Sequence, residues 1–340
     1  MSVHKFIDTD PSIHSYWRSI ILFGRNVTTY KLALGRALFA ISKSENDLIK
    51  IEDLAIPYAQ YLCTHLEEHD KQGVSKGSTF LDACRKFLRK QTNESQLIEQ
   101  TCKYGFQFVL DKFHNVSGGR IKYDFFIDER KINKGIRLTD NLRIISGNDS
   151  LGILDDEAES RWRLVETAWG LGLSPHLISI DYDPINKQLT TEYRKKRKNI
   201  TSCRGALSGY QKGVCFYCFA PIDIHQNTDV DVDHFLPFRL GKDGELPNID
   251  GVWNLVLTCT ECNRGKDGKF DRIPSLELLE RLDRRNEYLI ESNHPLRETL
   301  IAQTGSTDKE RQHFLQECYY KAKESLIHTW SPDIKGEEIF

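Results

Sequence analysis

The sequence predicts an α+β chain: a mainly helical N-terminal region with a small β element, then a short cysteine-stapled module, then C-terminal helices. Three observations predict it. Apolar residues recur at helical spacing up to about residue 115, the pattern then shortens to runs rich in β-branched and aromatic residues, and two Cys-x-x-Cys pairs bracket Cys215 to Cys262. A chain of 340 residues with 39% apolar composition can bury more than one core. We divide it into a helical region 1–192, a basic linker with the module over 193–274, and C-terminal helices over 275–340.

Ile13, Tyr16, Trp17, Ile20 and Ile21 share one helical face, and Tyr30, Leu34, Ala37, Leu38 and Ile41 another, with Gly24 as the break between them. Further helices are expected over 56–69, 79–91 and 94–114. Phe80, Cys84, Phe87 and Leu88 form the stripe of the second, and Ile98, Cys102, Val109 and Phe113 that of the third. Such stripes are core faces. After Ser117-Gly118-Gly119, the runs IKYDFFI from Ile121 and LRIIS from Leu142 read as strands of a small sheet. Asp155, Asp156 and Glu157 then open an amphipathic helix through Ala158, Trp162, Val165 and Trp169, where acidic residues in the first turn suit the helix dipole. LISIDYD from Leu177 and QLTTEY from Gln188 read as a hairpin with Asp183-Pro184 in its turn. Beyond the module, 275–291 and 308–328 read as two long helices with charged outer faces, expected to pack back on the N-terminal helices.

No apolar run is long enough to span a bilayer, and MSVHKFIDTDPS has neither a basic n-region nor an apolar h-region, so a cytoplasmic setting is expected. Of nine cysteines, Cys63, Cys84, Cys102, Cys203 and Cys318 stand singly, a usage that suits a reducing compartment without disulfides. A net charge of −2 carries no global signal for nucleic acid. The local distribution does. Residues 193–222 contain no Asp or Glu, while Arg194, Lys195, Lys196, Arg197, Lys198, Arg204 and Lys212 are basic. Such a run is as often a solvated linker as a phosphate-binding surface. Its place beside the module favours phosphate contact, through the counterions that clustered Lys and Arg displace.

Cys215, Cys218, Cys259 and Cys262 can supply four thiolates to one tetrahedral zinc. A closed set of four sulfurs leaves no open position, so this zinc is structural, and in so short a segment it contributes much of the folding free energy. Between the pairs, DVDHFLPF carries Asp233 and His234. A lone histidine is more often structural than catalytic. Beside a carboxylate in a metal-stapled loop, however, an imidazole is suited to take a proton from water. Asp233 and the amide oxygen of Asn263 are hard ligands that favour magnesium or manganese. Asp231 is expected to face the other side of the strand and stands outside this set.

Over residues 199–270 the segment resembles an HNH nuclease, a ββα-metal domain with a four-cysteine zinc site. The Asp-His dipeptide, Asn254 in WNLVL, both cysteine pairs and the CNRGK helix start occur in the family's order. The resemblance implies His234 as general base, Asn254 as the residue that fixes its imidazole, and Asn263 with Asp233 as ligands of a divalent ion. Asn263 stands where the eponymous family has its last histidine, an HNN-type variant also found in the HNH domain of RNA-guided CRISPR nucleases. The resemblance further implies a metal-dependent endonuclease acting on DNA, expected to be double-stranded, with RNA left open as a substrate and 5′-phosphate product ends. Arg264, Lys266 and the run Arg194, Lys195, Lys196, Arg197 and Lys198 become phosphate contacts, and restriction or defence becomes the expected setting. The N-terminal region carries no family pattern and is assigned the positioning of DNA or a protein partner. The rival reading is a zinc-stapled nucleic-acid-binding module without catalysis.

Overall fold

A computed structural model of the chain describes residues 2–24, 28–73, 77–147, 150–170, 180–183, 188–193, 196–224, 229–242, 246, 248–292 and 296–340. The chain divides into two compact units, Met1–Asp10 with Leu173–Phe340, and Pro11–Gly172. Helix α1 (Ser2–Asp8) belongs to the first of these. No helix among the described residues is long and apolar enough to cross a membrane.

The unit Pro11–Gly172 begins with α2 (Ile13–Phe23), whose first turn is capped by the Ser12 hydroxyl accepting from the Ser15 N–H, and which ends at Gly24. Next come α3 (Tyr30–Ile41), β1 (Leu48–Lys50), α4 (Ile51–Glu68), α5 (Thr79–Leu88) and α6 (Glu94–Gln100), the last opened by a reciprocal Asn93–Gln96 capping box. Trp17 is fully buried at the centre of α2, against the rings of Phe39, Phe113 and Phe125. The helix expected over 94–114 is broken: α6 passes into a π turn, Thr101–Gly105, and only then into α7 (Val109–Lys112). The reason is aromatic packing. Tyr58 stacks on Phe80 and Phe106, its hydroxyl donates to the Gly105 carbonyl, and a Cβ at Gly105 would lie 3.1 Å from both the Tyr58 and Phe80 rings.

The β element is β2 (Asn115–Val116) paired with β3 (Gly119–Arg120), followed by β4 (Phe126–Asp128), α8 (Arg130–Asn133) and β5 (Gly135–Leu138). The order β1-β5-β4 is antiparallel, so β1, from far upstream, completes the sheet. Two expectations fail here. IKYDFFI supplies a strand only over its last part, and LRIIS lies in a helix, α9 (Asp140–Ser146), that buries Leu142 and Ile145 and leaves Ile144 54% exposed. Burial three residues apart is helical spacing, which the β-branched composition masked. The following helix, α10 (Ser150–Gly170), starts earlier than its acidic trio suggested. Asp155 therefore pairs with Arg36 and Glu157 with Arg18, in place of the dipole role expected of them.

In the other unit, β6 (Ile180–Asp183), β7 (Gln188–Tyr193) and β8 (Lys196–Ser202) form an antiparallel sheet in the order β6-β7-β8. Part of the run read as linker is thus a strand: Lys196, Arg197 and Lys198 pair with Tyr193, Glu192 and Thr191. Pro184, Arg194 and Lys195 lie outside the described residues. After α11 (Cys203–Ser208) come β9 (Val230–His234), α12 (Arg239–Lys242), β10 (Leu255–Cys259) and α13 (Thr260–Arg264). The chain ends with β11 (Ile273–Pro274), α14 (Leu276–Glu291), α15 (Leu296–Thr304), α16 (Asp308–Ser325) and β12 (Thr329–Trp330), with β11 and β12 parallel.

The C-terminal helices pack on the cysteine-rich segment and on α1. Arg281 of α14 donates to the carbonyls of Phe216 and Tyr217 and lies 3.9 Å over the Phe219 ring, while Asn286 donates to the Trp253 carbonyl. Tyr288 meets Phe6 of α1 edge to face. The final residues close over the first cysteine turn, where Lys335 and Gly336 donate to the Cys218 carbonyl and Phe340 packs on Phe216 and Phe219.

Candidate metal and catalytic centre

The first Cys-x-x-Cys pair sits on a tight turn between Val214 and Pro221, which form a bridge. Cys215 N–H donates to Ala220, Phe219 N–H donates back to Cys215, and Phe219 takes a left-handed φ of 61° so that the chain can reverse. The second pair joins the end of β10 to α13. The four sulfurs lie within 4.8 Å of one another, and Cys218 Sγ is 3.8 Å from Cys259 Sγ. Sulfurs about 2.3 Å from a tetrahedral zinc stand about 3.8 Å apart, so the quartet fits that ion. Contact with Cys215 pushes the Cys218 and Cys262 thiols up, because four thiolates so close cannot all ionise without a cation. Cys63, Cys84, Cys102 and Cys318 and the four cysteines of the quartet are free of disulfide.

From this staple rises a two-stranded antiparallel hairpin in which His234 faces Leu255, Asp233 faces Val256, and Asp231 faces Thr258. His234 closes β9. Its Nε2 lies 2.8 Å from Oδ1 of Asp250, and its ring is 5.2 Å from that of Phe238. Asn254, with no exposed surface, uses its whole side chain on backbone: Oδ1 accepts from Leu236 N–H, and Nδ2 donates to the carbonyls of Leu236 and Ile249. Its own carbonyl accepts from Phe235 N–H at 2.7 Å. One amide therefore ties the segment just after His234 to the one just before Asp250.

Asp231 and Asp233 share a face of β9, since strand side chains repeat every two residues. The expectation that Asp231 faces away from Asp233 was an error of period. Asp231 accepts from Asn263 Nδ2 at 3.1 Å and from Arg264 Nε at 2.8 Å, so it is the carboxylate in contact with α13. Asp233 instead accepts from the Tyr217 hydroxyl at 2.7 Å and pairs with the buried Lys269 ammonium at 3.2 Å. Burial pushes the Asp233 carboxyl up, while Lys269 and Tyr217 pull it down. The charge is therefore incompletely compensated. Two buried carboxylates on one strand face, with an amide beside the first, are hard donors whose chemistry fits a divalent ion such as magnesium or manganese.

Arg264 keeps 60% of its side chain exposed despite its contact with Asp231, and Lys266 is exposed just beyond α13. Sequence reasoning missed Asp250, Tyr217 and Lys269. Tyr217 lies inside the first Cys-x-x-Cys, but nothing in its neighbourhood pointed at Asp233. Asp250 stands four residues before Asn254, in a Gly- and Asp-containing loop that reads as an ordinary turn.

Residues 215–271 match the HNH endonuclease family. No curated protein and no solved structure matches the chain. The cysteine quartet, the hairpin and α13 all fall inside the matched stretch, which is an HNH module of the kind found in endonucleases.

Proposed function

We propose that the chain is a metal-dependent endonuclease that hydrolyses phosphodiester bonds in double-stranded DNA, with His234 as general base. The observation that carries this reading is the coincidence, within 215–271, of the family match with an imidazole at the mouth of a zinc-compatible hairpin whose loop is tied down by buried Asn254.

His234 takes a proton from a water molecule, which attacks phosphorus in line with the bond to the 3′ oxygen. That bond breaks, the 3′ oxygen takes a proton from solvent, and the cut strand keeps a 5′ phosphate. Asp233 and Asn263, the pair the family resemblance implies, would hold a divalent ion together with Asp231, the carboxylate that meets Asn263, and the ion would supply stabilisation of the charge that builds on the phosphate. Arg264 and Lys266 hold the phosphate being cut, and the basic residues from Arg194 to Lys198 follow the neighbouring backbone. Asn254 acts through position, fixing the backbone next to the base. Restriction or defence against foreign DNA is the setting we propose, from the family resemblance alone.

The test is incubation of supercoiled plasmid with wild-type and His234→Ala protein in magnesium, in manganese and in chelator. Nicking or linearisation that needs the metal and disappears in the variant is the expected result. Absence of cleavage with undiminished DNA affinity in both proteins would replace this reading with a non-catalytic binding module, and a parallel RNA substrate decides the class of nucleic acid.

A further inference from the structure

We infer that Phe270 is a nucleobase contact: its ring, held out to solvent beside Asn263, packs against a base next to the phosphate to be cut. This rests on the nuclease reading of the same module and adds to it an apolar contact that the charged residues there do not provide.

Two departures from ordinary behaviour meet at this residue. Phe270 has a left-handed φ of 45°, a conformation that a bulky side chain rarely adopts, and 53% of its surface is exposed. Burial gives little reason for a ring at this position, and the backbone opposes it. Glycine would take the same φ without cost. An aromatic residue that is neither well buried nor conformationally at ease, and that lies against a functional site, points to a use in binding.

The strained backbone is held by the site itself. Phe270 N–H donates to the Asn263 carbonyl at 2.9 Å, and the Phe270 carbonyl accepts from the Lys269 ammonium at 3.0 Å. That ammonium, on a side chain only 1% exposed, also pairs with Asp233 at 3.2 Å. The approach to Phe270 is fastened too: Lys269 N–H donates to the Cys262 carbonyl at 2.6 Å, and Gly268 N–H to that of Gly265. Gly268 is required by contact, since a Cβ there would lie within 2.9 Å of backbone atoms of Gly265, Arg264 and Asn263. The residue is thus presented at a fixed place, one hydrogen bond from Asn263 and joined through one ammonium to Asp233.

Charge on this turn is balanced: Arg264 and Lys266 are exposed, and so are Asp267 and Asp271. Net attraction therefore gives the turn little hold on a polyanion beyond the phosphate that Arg264 and Lys266 grip. An exposed aromatic ring adds a contact of another kind, because a nucleobase offers an apolar π face on which a ring can stack or against which it can wedge. Every base has such a face, so the contact strengthens binding without choosing sequence.

The experiment measures binding of a short fluorescein-labelled DNA duplex of mixed sequence by anisotropy, across a salt series, in full-length His234→Ala protein so that the probe stays intact. Phe270→Ala, Phe270→Gly and Phe270→Trp are each compared with that parent, and thermal unfolding of every variant is recorded. We expect Phe270→Ala and Phe270→Gly to weaken binding about tenfold, with the slope of affinity against salt unchanged because no phosphate contact is lost. Phe270→Trp, with a larger π face, should bind as the parent does or more tightly. Phe270→Gly should melt at the parent's temperature or above it, since glycine relieves the left-handed strain. Parental affinity in Phe270→Ala and Phe270→Gly, a shallower salt slope, or a lower melting temperature in Phe270→Gly overturns the assignment, the last by making the ring a packing residue. Binding that depends on Phe270 in a protein whose wild type never cleaves would defeat the nuclease reading and leave this contact standing, whereas no binding by the parent would defeat both.

Discussion

The unit Pro11–Gly172 and the unit carrying the HNH module treat their buried charges in opposite ways. In the first, charges close on one another: Arg18 meets Glu157 at 2.8 Å, and His65, stacked on Trp162, stands between Glu166 at 2.9 Å and Glu159 at 3.0 Å. Around that network lies a conventional core of Trp17, Leu34, Leu54, Tyr58 and Phe80. In the second, four sulfurs gather that can all ionise only around a cation, and Asp233 stays incompletely compensated by Lys269 and Tyr217. Those charges of the first unit are paired as folded. In the other, the sulfur quartet is arranged as a closed metal site would need it.

The comparison breaks most readily at the zinc staple. Cys259→Ser, or prolonged chelation, should unfold the module and leave the helical unit intact, because zinc in a closed cysteine site contributes on the order of 10 kcal/mol to so small a fold. Hydrogen exchange read by region is the check: protection should be lost over 215–262 and kept in α2 to α5. Equal loss in both units would mean that the staple is not a local folding device.

Asn254→Ala should act next most strongly. Its amide makes three bonds to buried backbone groups, so truncation costs about 2–3 kcal/mol in that unit as well as slowing cleavage. Chemical denaturation and single-turnover cleavage measured together are the check. An unchanged midpoint would show that water replaces the amide, and an unchanged rate would remove its role in holding the base.

The smallest effect belongs to the helical unit and is a matter of pH. Burial works to lower the His65 pKa, but Glu159 and Glu166 outweigh it and raise it above 6.5. The stability His65 contributes is therefore complete below that value and lost as pH rises through the raised one. Glu159 moves the other way: burial alone would push it up, yet His65, Arg36 and Arg163 hold it down at about 2. Its contribution is present above its ordinary value of 4.5 and is lost as pH falls towards 2. Thermal unfolding of wild type and His65→Gln across pH 5 to 9 should show the wild-type advantage shrinking on the alkaline side. A difference independent of pH would assign His65 a packing role through Trp162 alone.

How much of this was legible depended on the range of the interaction. The stripes of α2 to α5 were readable because a helix repeats within a few residues, and Gly24 marked a true end. The α9 segment misled because Leu142 and Ile145 set a helical period inside a β-branched run too short to display it. The shared face of Asp231 and Asp233 was available from strand period and was misjudged. The Asp250 partnership was not available: it depends on a loop closing over His234 from 16 positions away.

The sequence by itself determined the chemistry on offer: four thiolates at staple spacing, an imidazole beside a carboxylate, and two asparagines in the order of a known nuclease family. Those are properties of residue type and short spacing, which the covalent chain carries directly. Tertiary structure decided which carboxylate meets which partner, giving Asp233 to Lys269 and Tyr217, Asp231 to Asn263 and Arg264, and Asp250 to His234. The strand, the loop and α13 supply these groups from separate segments, and only their packing sets distances to within a hydrogen bond. Such distances are fixed by contacts across the fold, to which no local pattern in the chain corresponds.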